Sequence, residues 1–448
     1  MATPPLSHSK SLSNPQETSV KVAIATLGCK LNQYDSEEIL GQFRAAGYSV
    51  TDEVSDADVC VVNTCAVTAT AERKARTLLR SMRRANPRSK LLAVGCMSER
   101  TPESLAAIPG VDAVLGNREK QHILDFLNGE SPGAVHVGET AQTTKVTGET
   151  VISGLLGRTR SFLKVQDGCS QKCTYCIIPS LRGGGRSLEI SVAVERARHL
   201  VGQGFVEIVL TGVALGTFGF DRERAGELAK LLAELERIDG LQRIRLGSVE
   251  PWAISDQMLD VMAASEKICP HLHIPLQSGT DYILHRMNRR YTIGQIQHIF
   301  EYAYSLRDDW GFGTDIIVGF PGESEEHFSQ TQKFLESSPI AYVHIFPYSP
   351  RPGTSATRLP DQLSVREKAA RSARLKESDA MLRQRFRAKY VGSVQQVLFE
   401  NRTVGGQQAG HAPNYLDVYV AADARLPGAI RDVIITGLHS DGVVGSLI

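Results

Sequence analysis

Short apolar runs alternate with longer amphipathic stretches through most of the chain. Near the N-terminus, Val22-Ala-Ile-Ala-Thr-Leu-Gly-Cys29, Val59-Cys-Val-Val-Asn-Thr-Cys65 and Leu91-Leu-Ala-Val-Gly-Cys96 read as strands. Helical periodicity fills the gaps over 35–46 and 69–85. This β-α-β-α-β rhythm predicts a parallel sheet covered by helices. After a polar connector, six more strand-like runs fall at 162–167, 207–213, 243–249, 271–277, 313–320 and 342–348. The helical stretches between them lie at 190–201, 225–238, 254–264, 293–306 and 325–335. Six β/α units predict a parallel barrel left open on one side, because a closed one has eight. A charged helix over 364–390 leads out. Short β-rich runs at 394–400, 416–421, 429–438 and 443–448, with Gly/Asn/Asp turns between them, then predict a small antiparallel β-barrel. The fold class is α/β and multidomain.

Composition adds mainly exclusions. With 50 Lys and Arg against 49 Asp and Glu, the formal net charge is +1, so any nucleic-acid surface must be a local patch. Residues 1–19 are rich in Ser, Pro and Thr without an apolar run, which predicts a disordered tail. No apolar run is long enough to span a bilayer, so no membrane partner is expected and the reading is cytoplasmic. In that compartment clustered cysteines point to metal or catalysis rather than disulfides.

The eight cysteines carry most of the chemistry. Cys169-Ser-Gln-Lys-Cys173-Thr-Tyr-Cys176 places three thiols in one loop after the first barrel strand, the face where barrel active sites form. Three thiolates can hold three irons of a [4Fe–4S] cube and leave one iron open. In such loops the open iron takes S-adenosylmethionine and an electron cleaves the sulfonium. A zinc site would normally want a fourth Cys or His, and no His lies inside or close to the loop. Cys29, Cys65 and Cys96 each fall at the carboxyl end of a predicted parallel strand, the edge where ligands bind. Three thiols in register there favour a second cluster over three buried small hydrophobes. Cys60, inside its strand, and Cys269, ahead of one, read as packing.

Other residues add weaker signals. Tyr175, beside the last loop cysteine, can stack near an adenine. The glycines of Arg182-Gly-Gly-Gly-Arg186 let backbone approach a ligand, and its arginines suit a carboxylate or phosphate, unless the segment is only a flexible loop. Gly212, Glu250 and Gln277 stand at strand ends on the open face, with Glu250 and Gln277 able to bond ribose or amino groups. Asp315 lies mid-strand and reads equally as an inward functional or structural residue. Two helices are basic: Arg73, Lys74, Arg76, Arg80, Arg83 and Arg84 on the first, and nine Lys or Arg from Arg366 to Lys389 on the second. Both are candidates for RNA contact, set against plain solvated surface.

The whole constellation resembles the radical-SAM methylthiotransferases from about Val20 to the C-terminus. Gly28-Cys-Lys-Leu-Asn-Gln-Tyr-Asp-Ser-Glu37, His271-Leu-His-Ile-Pro-Leu-Gln-Ser-Gly279, Arg286-Met-Asn-Arg-Arg-Tyr-Thr292 and His344-Ile-Phe-Pro-Tyr-Ser349 resemble the MtaB-type branch. The resemblance implies a tail at 1–19, a methylthiotransferase N-terminal domain at 20–130, a linker at 131–154, a radical-SAM core at 155–386 and an RNA-binding TRAM barrel at 389–448. It maps a radical-SAM [4Fe–4S] cluster onto Cys169, Cys173 and Cys176, and a second onto Cys29, Cys65 and Cys96. Tyr175, Arg182, Gly212, Glu250 and Gln277 are then candidates for the S-adenosylmethionine pocket. The implied reaction replaces the C2–H of N6-threonylcarbamoyladenosine, next to the tRNA anticodon, by a methylthio group. An anticodon stem-loop and an electron donor such as flavodoxin or ferredoxin are the implied partners. Leu188 stands where the resemblance leads one to expect an arginine. Two alternatives are an enzyme acting on another modified adenosine or a ribosomal protein side chain, and a non-catalytic iron–sulfur RNA sensor.

Overall fold

The computed structural model describes residues 20–127, 133–138, 159–224 and 226–448. The expected tail, and all of the expected 131–154 linker except 133–138, lie outside the described residues.

The N-terminal sheet has six strands, all parallel, in the order Ser49–Val50, Lys21–Thr26, Val59–Thr64, Lys90–Gly95, Ala113–Leu115, Ala134–His136. Its central strand, Val59–Thr64, is buried along its whole length, as a β-branched run covered on both faces should be. Cys60 packs in this core. The three outer strands, of two or three residues each, are too short to show a period in the sequence.

Six parallel strands follow in sequence order: Ser161–Lys164, Glu207–Thr211, Arg243–Leu246, His271–Gln277, Gly311–Val318 and Ile340–Pro347. Two three-stranded ladders join through the Ile244–Ile268 and Ser248–His273 bridges, giving the expected open (β/α)6 barrel. Alternation along the strands sorts the residues. Ile208, Leu210, Ile244, Leu246, Leu272, Ile274, Phe312 and Ile316 face the helices and form the largest core. Glu207, Arg243, Arg245, His271, His273, Asp315 and His344 alternate with them and face the lumen. Helix Ile293–Leu306 begins and ends where the periodicity predicts, fixed by a capping box of Thr292 and Gln295. Leu188 is core, not a surface cation.

Helix Val365–Ala388 packs along the last barrel strand, where Asp379 accepts from the Val343 N–H at 2.7 Å. Several of its arginines are engaged within the chain. Arg371 pairs with Glu323, Arg374 with Glu325 and Arg383 with Asp379, while Arg385 and Arg387 donate to backbone carbonyls. The C-terminal barrel closes over five strands, including Gln407–His411, which the sequence reading missed. Four pairings are antiparallel and one, between Asp417–Ala421 and Val443–Leu447, is parallel. Directions cannot alternate all the way round an odd ring. Among the described residues, no helix is long and apolar enough to cross a membrane.

Candidate active site

Each N-terminal thiol is delivered by a strand that ends in a sharp turn. Gly28 and Gly95 precede Cys29 and Cys96 with φ of +107° and +97°, in the region that disfavours side chains. A Cβ on Gly95 would lie 2.8 Å from the Thr64 carbonyl oxygen, and one on Gly28 would lie 3.0 Å from Cβ of Cys65. Asn32 ties the turns together, donating to the carbonyls of Leu27 at 2.7 Å and Thr64 at 2.9 Å. The three thiols are brought close enough to influence one another electrostatically, with Arg182 beside them.

The second trio sits in the loop after strand Ser161–Lys164. Its backbone hugs the glycine run: Cys169 N donates to the Gly183 carbonyl at 3.0 Å, and a Cβ on Gly168 would stand 2.0 Å from the Gly184 oxygen. On the other side the turn after helix Asp281–Arg286 grips the loop, with Asn288 donating to the Lys172 carbonyl at 2.8 Å. Two N–H groups point at sulfur: Gln171 N to Cys169 Sγ at 3.4 Å and Arg289 Nη1 to Cys173 Sγ at 3.3 Å. Burial pushes the thiols of Cys169 and Cys176 up to about 11 and about 12, and that of Cys65 to about 11. Metal binding at these sites must therefore displace protons.

Each trio offers three thiols, and N–H groups meet two of the sulfurs of the second trio; three thiolates can hold three irons of a cube and leave one iron open.

A buried ionic network locks the two trios into one site. Asp35, on helix Lys30–Ala45, meets Lys120 at 2.6 Å, Lys164 at 2.8 Å and Arg182 at 2.9 Å. Lys164 also pairs with Glu38 at 3.0 Å, and Arg182 with Asp167 at 3.1 Å. Burial opposes ionisation of Asp35, but Lys120, Lys164 and Arg182 outweigh it and hold the carboxyl well below the usual range. Behind Cys65, Arg351 bonds the Ala66 carbonyl at 3.0 Å and Glu72 at 2.9 Å.

The remaining candidates divide. Glu250 is buried near Cys169 and accepts from Gly216 N at 3.2 Å, and burial pushes its carboxyl up. Tyr175 meets Phe320 edge-on at 6.4 Å and lies close to Cys173, Cys176 and Arg289. Gly212 follows strand Glu207–Thr211, and a Cβ there would stand 2.9 Å from Gln166 Oε1. Gln277 ends its strand with φ of +69°. Arg182 stands apart from this group: its guanidinium is taken up by Asn32, Asp35 and Asp167, beside the N-terminal thiols. Arg289 was missed as a site residue, although it lies inside the quoted Arg286–Thr292 stretch. Cys269 is buried, and Asp315 pairs with His273 at 2.9 Å and His344 at 3.2 Å.

An open (β/α)6 barrel with a CxxxCxxC loop at the carboxyl end of its first strand defines a radical-SAM enzyme, a class that works with S-adenosylmethionine and [4Fe–4S] clusters. Residues 163–335 match the radical SAM superfamily, and residues 21–116 match a family described as "Uncharacterized protein family UPF0004". A threonylcarbamoyladenosine tRNA methylthiotransferase MtaB of Aquifex aeolicus is 39% identical over 404 residues, 89% of this chain and 96% of that one. A tRNA-2-methylthio-N(6)-dimethylallyladenosine synthase of Dictyoglomus thermophilum is 33% identical over 96% of this chain and 98% of its own length. In fold, the chain is similar to the radical S-adenosylmethionine methyltransferase TsrM of Kitasatospora setae, with a TM-score of 0.55 at 13% identity, covering 88% of this chain and 81% of that one. The chain belongs to the radical-SAM methylthiotransferase family, in its MtaB-type branch.

Proposed function

We propose that the protein methylthiolates C2 of N6-threonylcarbamoyladenosine at the tRNA position beside the anticodon. The observation that carries this reading is a second three-thiol site, rigidly held against the radical-SAM site, in a chain that matches an enzyme of that name over nearly its full length. When bound, the clusters would supply the electron that cleaves S-adenosylmethionine and a holding place for the transferred sulfur.

The chain's own residues bind, orient and exclude. Cys169, Cys173 and Cys176 would hold one cluster, with Gln171 N and Arg289 steadying thiolate charge on Cys169 and Cys173. Cys29, Cys65 and Cys96 would hold the other. Glu250 and Gln277 offer acceptors and donors to the cofactor's hydroxyl and amino groups, Tyr175 offers an aromatic face, and Gly212 lets a ligand approach backbone. The Asp35 network ties helix Lys30–Ala45 to the barrel residues Lys164 and Arg182. Arg182 acts there rather than as a free anion receptor. The target base must be splayed from its loop to enter.

The anticodon stem-loop would meet the basic helix Ala69–Ala85, on which Arg73, Lys74, Arg80 and Arg84 are exposed. Arg83 is not part of that surface: it pairs with Asp112 at 2.6 Å and bonds the carbonyls of Pro87 and Ser89. The work belongs in the cytoplasm, with a flavodoxin- or ferredoxin-like donor supplying electrons.

The test offers the reconstituted enzyme three substrates separately: tRNA carrying threonylcarbamoyladenosine, tRNA carrying dimethylallyladenosine, and ribosomal protein. Methylthiolation confined to the first is expected. Product on the second or third, with none on the first, would reassign the substrate.

A further inference from the structure

Two histidines and an aspartate converge in the barrel lumen. Strands His271–Gln277, Gly311–Val318 and Ile340–Pro347 lie side by side and bring His273, Asp315 and His344 to one place. Asp315 Oδ1 stands 2.9 Å from Nε2 of His273 and 3.2 Å from Nδ1 of His344. The three ligand atoms all lie within 4.8 Å of one another. His273 lies two residues before Pro275, whose carbonyl accepts from Arg289, the same guanidinium that meets Cys173. At about 3.3 Å per residue, the triad is one side-chain layer removed from the strand end that meets the second trio's loop.

The spacing fits a single metal ion. Ligands about 2.1 Å from an ion stand about 3.0 Å apart at right angles and about 3.4 Å apart in a tetrahedron. Burial opposes ionisation of Asp315, but hydrogen bonds from His273 and His344 outweigh it and hold the carboxyl well below the usual range. Among the described residues no Lys or Arg pairs with it. A metal ion would take the place of the N–H protons that now meet the carboxylate.

The surroundings also suit a ligand. Metal-bound histidines commonly donate through their second ring nitrogen. Nδ1 of His273 lies 3.3 Å from Tyr342 Oη, which lies 3.0 Å from Nε2 of His271. Burial and the Arg245 charge keep His271 neutral, so it can accept from Tyr342 while Tyr342 accepts from His273. With the protons in that order, His273 Nε2 turns a lone pair toward a carboxylate oxygen, and a cation is needed between them. Gly313 permits this relay, because a Cβ there would stand 2.1 Å from Cζ of Tyr342. Tyr342 and His344 also line a cavity of about 100 Å³ with Arg383, Tyr415 and Asp417. His344 is 52% exposed, so an ion has a way in.

We propose that His273, Asp315 and His344 form a binding site for a first-row divalent cation, with Tyr342 as the outer partner that fixes the His273 tautomer. Two imidazoles and a carboxylate suit such ions and leave positions open for water or a ligand oxygen. The site uses none of the thiols and stands whichever base the enzyme modifies.

The experiment adds Mn(II) to the reconstituted full-length enzyme with its clusters in the diamagnetic oxidised state. Electron paramagnetic resonance follows free Mn(II), and pulsed measurements read nitrogen couplings to the bound ion. The wild type should bind one Mn(II) per chain, coupled to imidazole nitrogen. Tyr342→Phe, which removes no ligand, should weaken binding by about tenfold or more, and Asp315→Asn and His344→Gln should each weaken it further. His344 is half exposed, so His344→Gln should fold and load iron like the wild type. His298→Gln breaks a similar His–Asp pair of 2.9 Å on the surface and should leave binding unchanged. No bound Mn(II) up to millimolar concentration, a bound ion without nitrogen coupling, or binding retained by both Asp315→Asn and His344→Gln would overturn the site and leave a hydrogen-bonded triad only.

Discussion

Replacing Cys169, Cys173 and Cys176 together by Ala should halve the iron of the anaerobically reconstituted protein and abolish cleavage of S-adenosylmethionine. The intact protein should hold about eight irons, four at each thiol trio. The complementary triple variant of Cys29, Cys65 and Cys96 should also hold about four irons but should still cleave S-adenosylmethionine, without making methylthiolated product. The two variants separate the trios by function as well as by iron count. Loss of all iron from either one would show that the trios serve a single centre. Methylthiolated product from the second would remove sulfur handling from the N-terminal site.

The largest expected effect on stability comes from Asp35→Asn. That carboxylate is shared by Lys120, Lys164 and Arg182, and all four side chains are nearly excluded from solvent. Removing one charge from a buried network leaves its partners uncompensated, which costs about 3–5 kcal/mol. Urea unfolding should therefore show a stability in water lowered by that amount, read as a lower midpoint at unchanged slope. Because the network joins helix Lys30–Ala45 to the barrel, the variant should also load less iron at the N-terminal trio. A loss below about 1 kcal/mol, the size of an exposed pair, would show that the network does not hold the two parts together.

Much of this site is local enough to be legible in sequence. A thiol at the end of an apolar run marks a strand end, and a parallel sheet collects strand ends at one edge, so Cys29, Cys65 and Cys96 were readable together. The CxxxCxxC spacing is contained in eight residues. The barrel strands were readable because their helix-facing positions are consistently apolar. What escaped is what depends on distant partners. Arg182 looked like an anion receptor beside a glycine run, but its acceptors Asn32 and Asp35 lie 150 and 147 residues away. Arg371 and Arg83 looked like surface cations for the same reason. Strand Gln407–His411 is polar in sequence, and only closure of the ring buries Ala409 and His411. Ala113–Leu115 and Ala134–His136 extend a sheet already formed, so they need little pattern of their own.

The central claim is that this chain makes the methylthio form of threonylcarbamoyladenosine in tRNA. Mass spectrometry of tRNA nucleosides from cells with and without the protein tests it most directly. The methylthiolated nucleoside should vanish when the protein is removed, the unmethylthiolated one should accumulate in its place, and the methylthio form of dimethylallyladenosine should not change. A methylthiolated threonylcarbamoyladenosine pool that persists at its normal level without the protein would contradict the account.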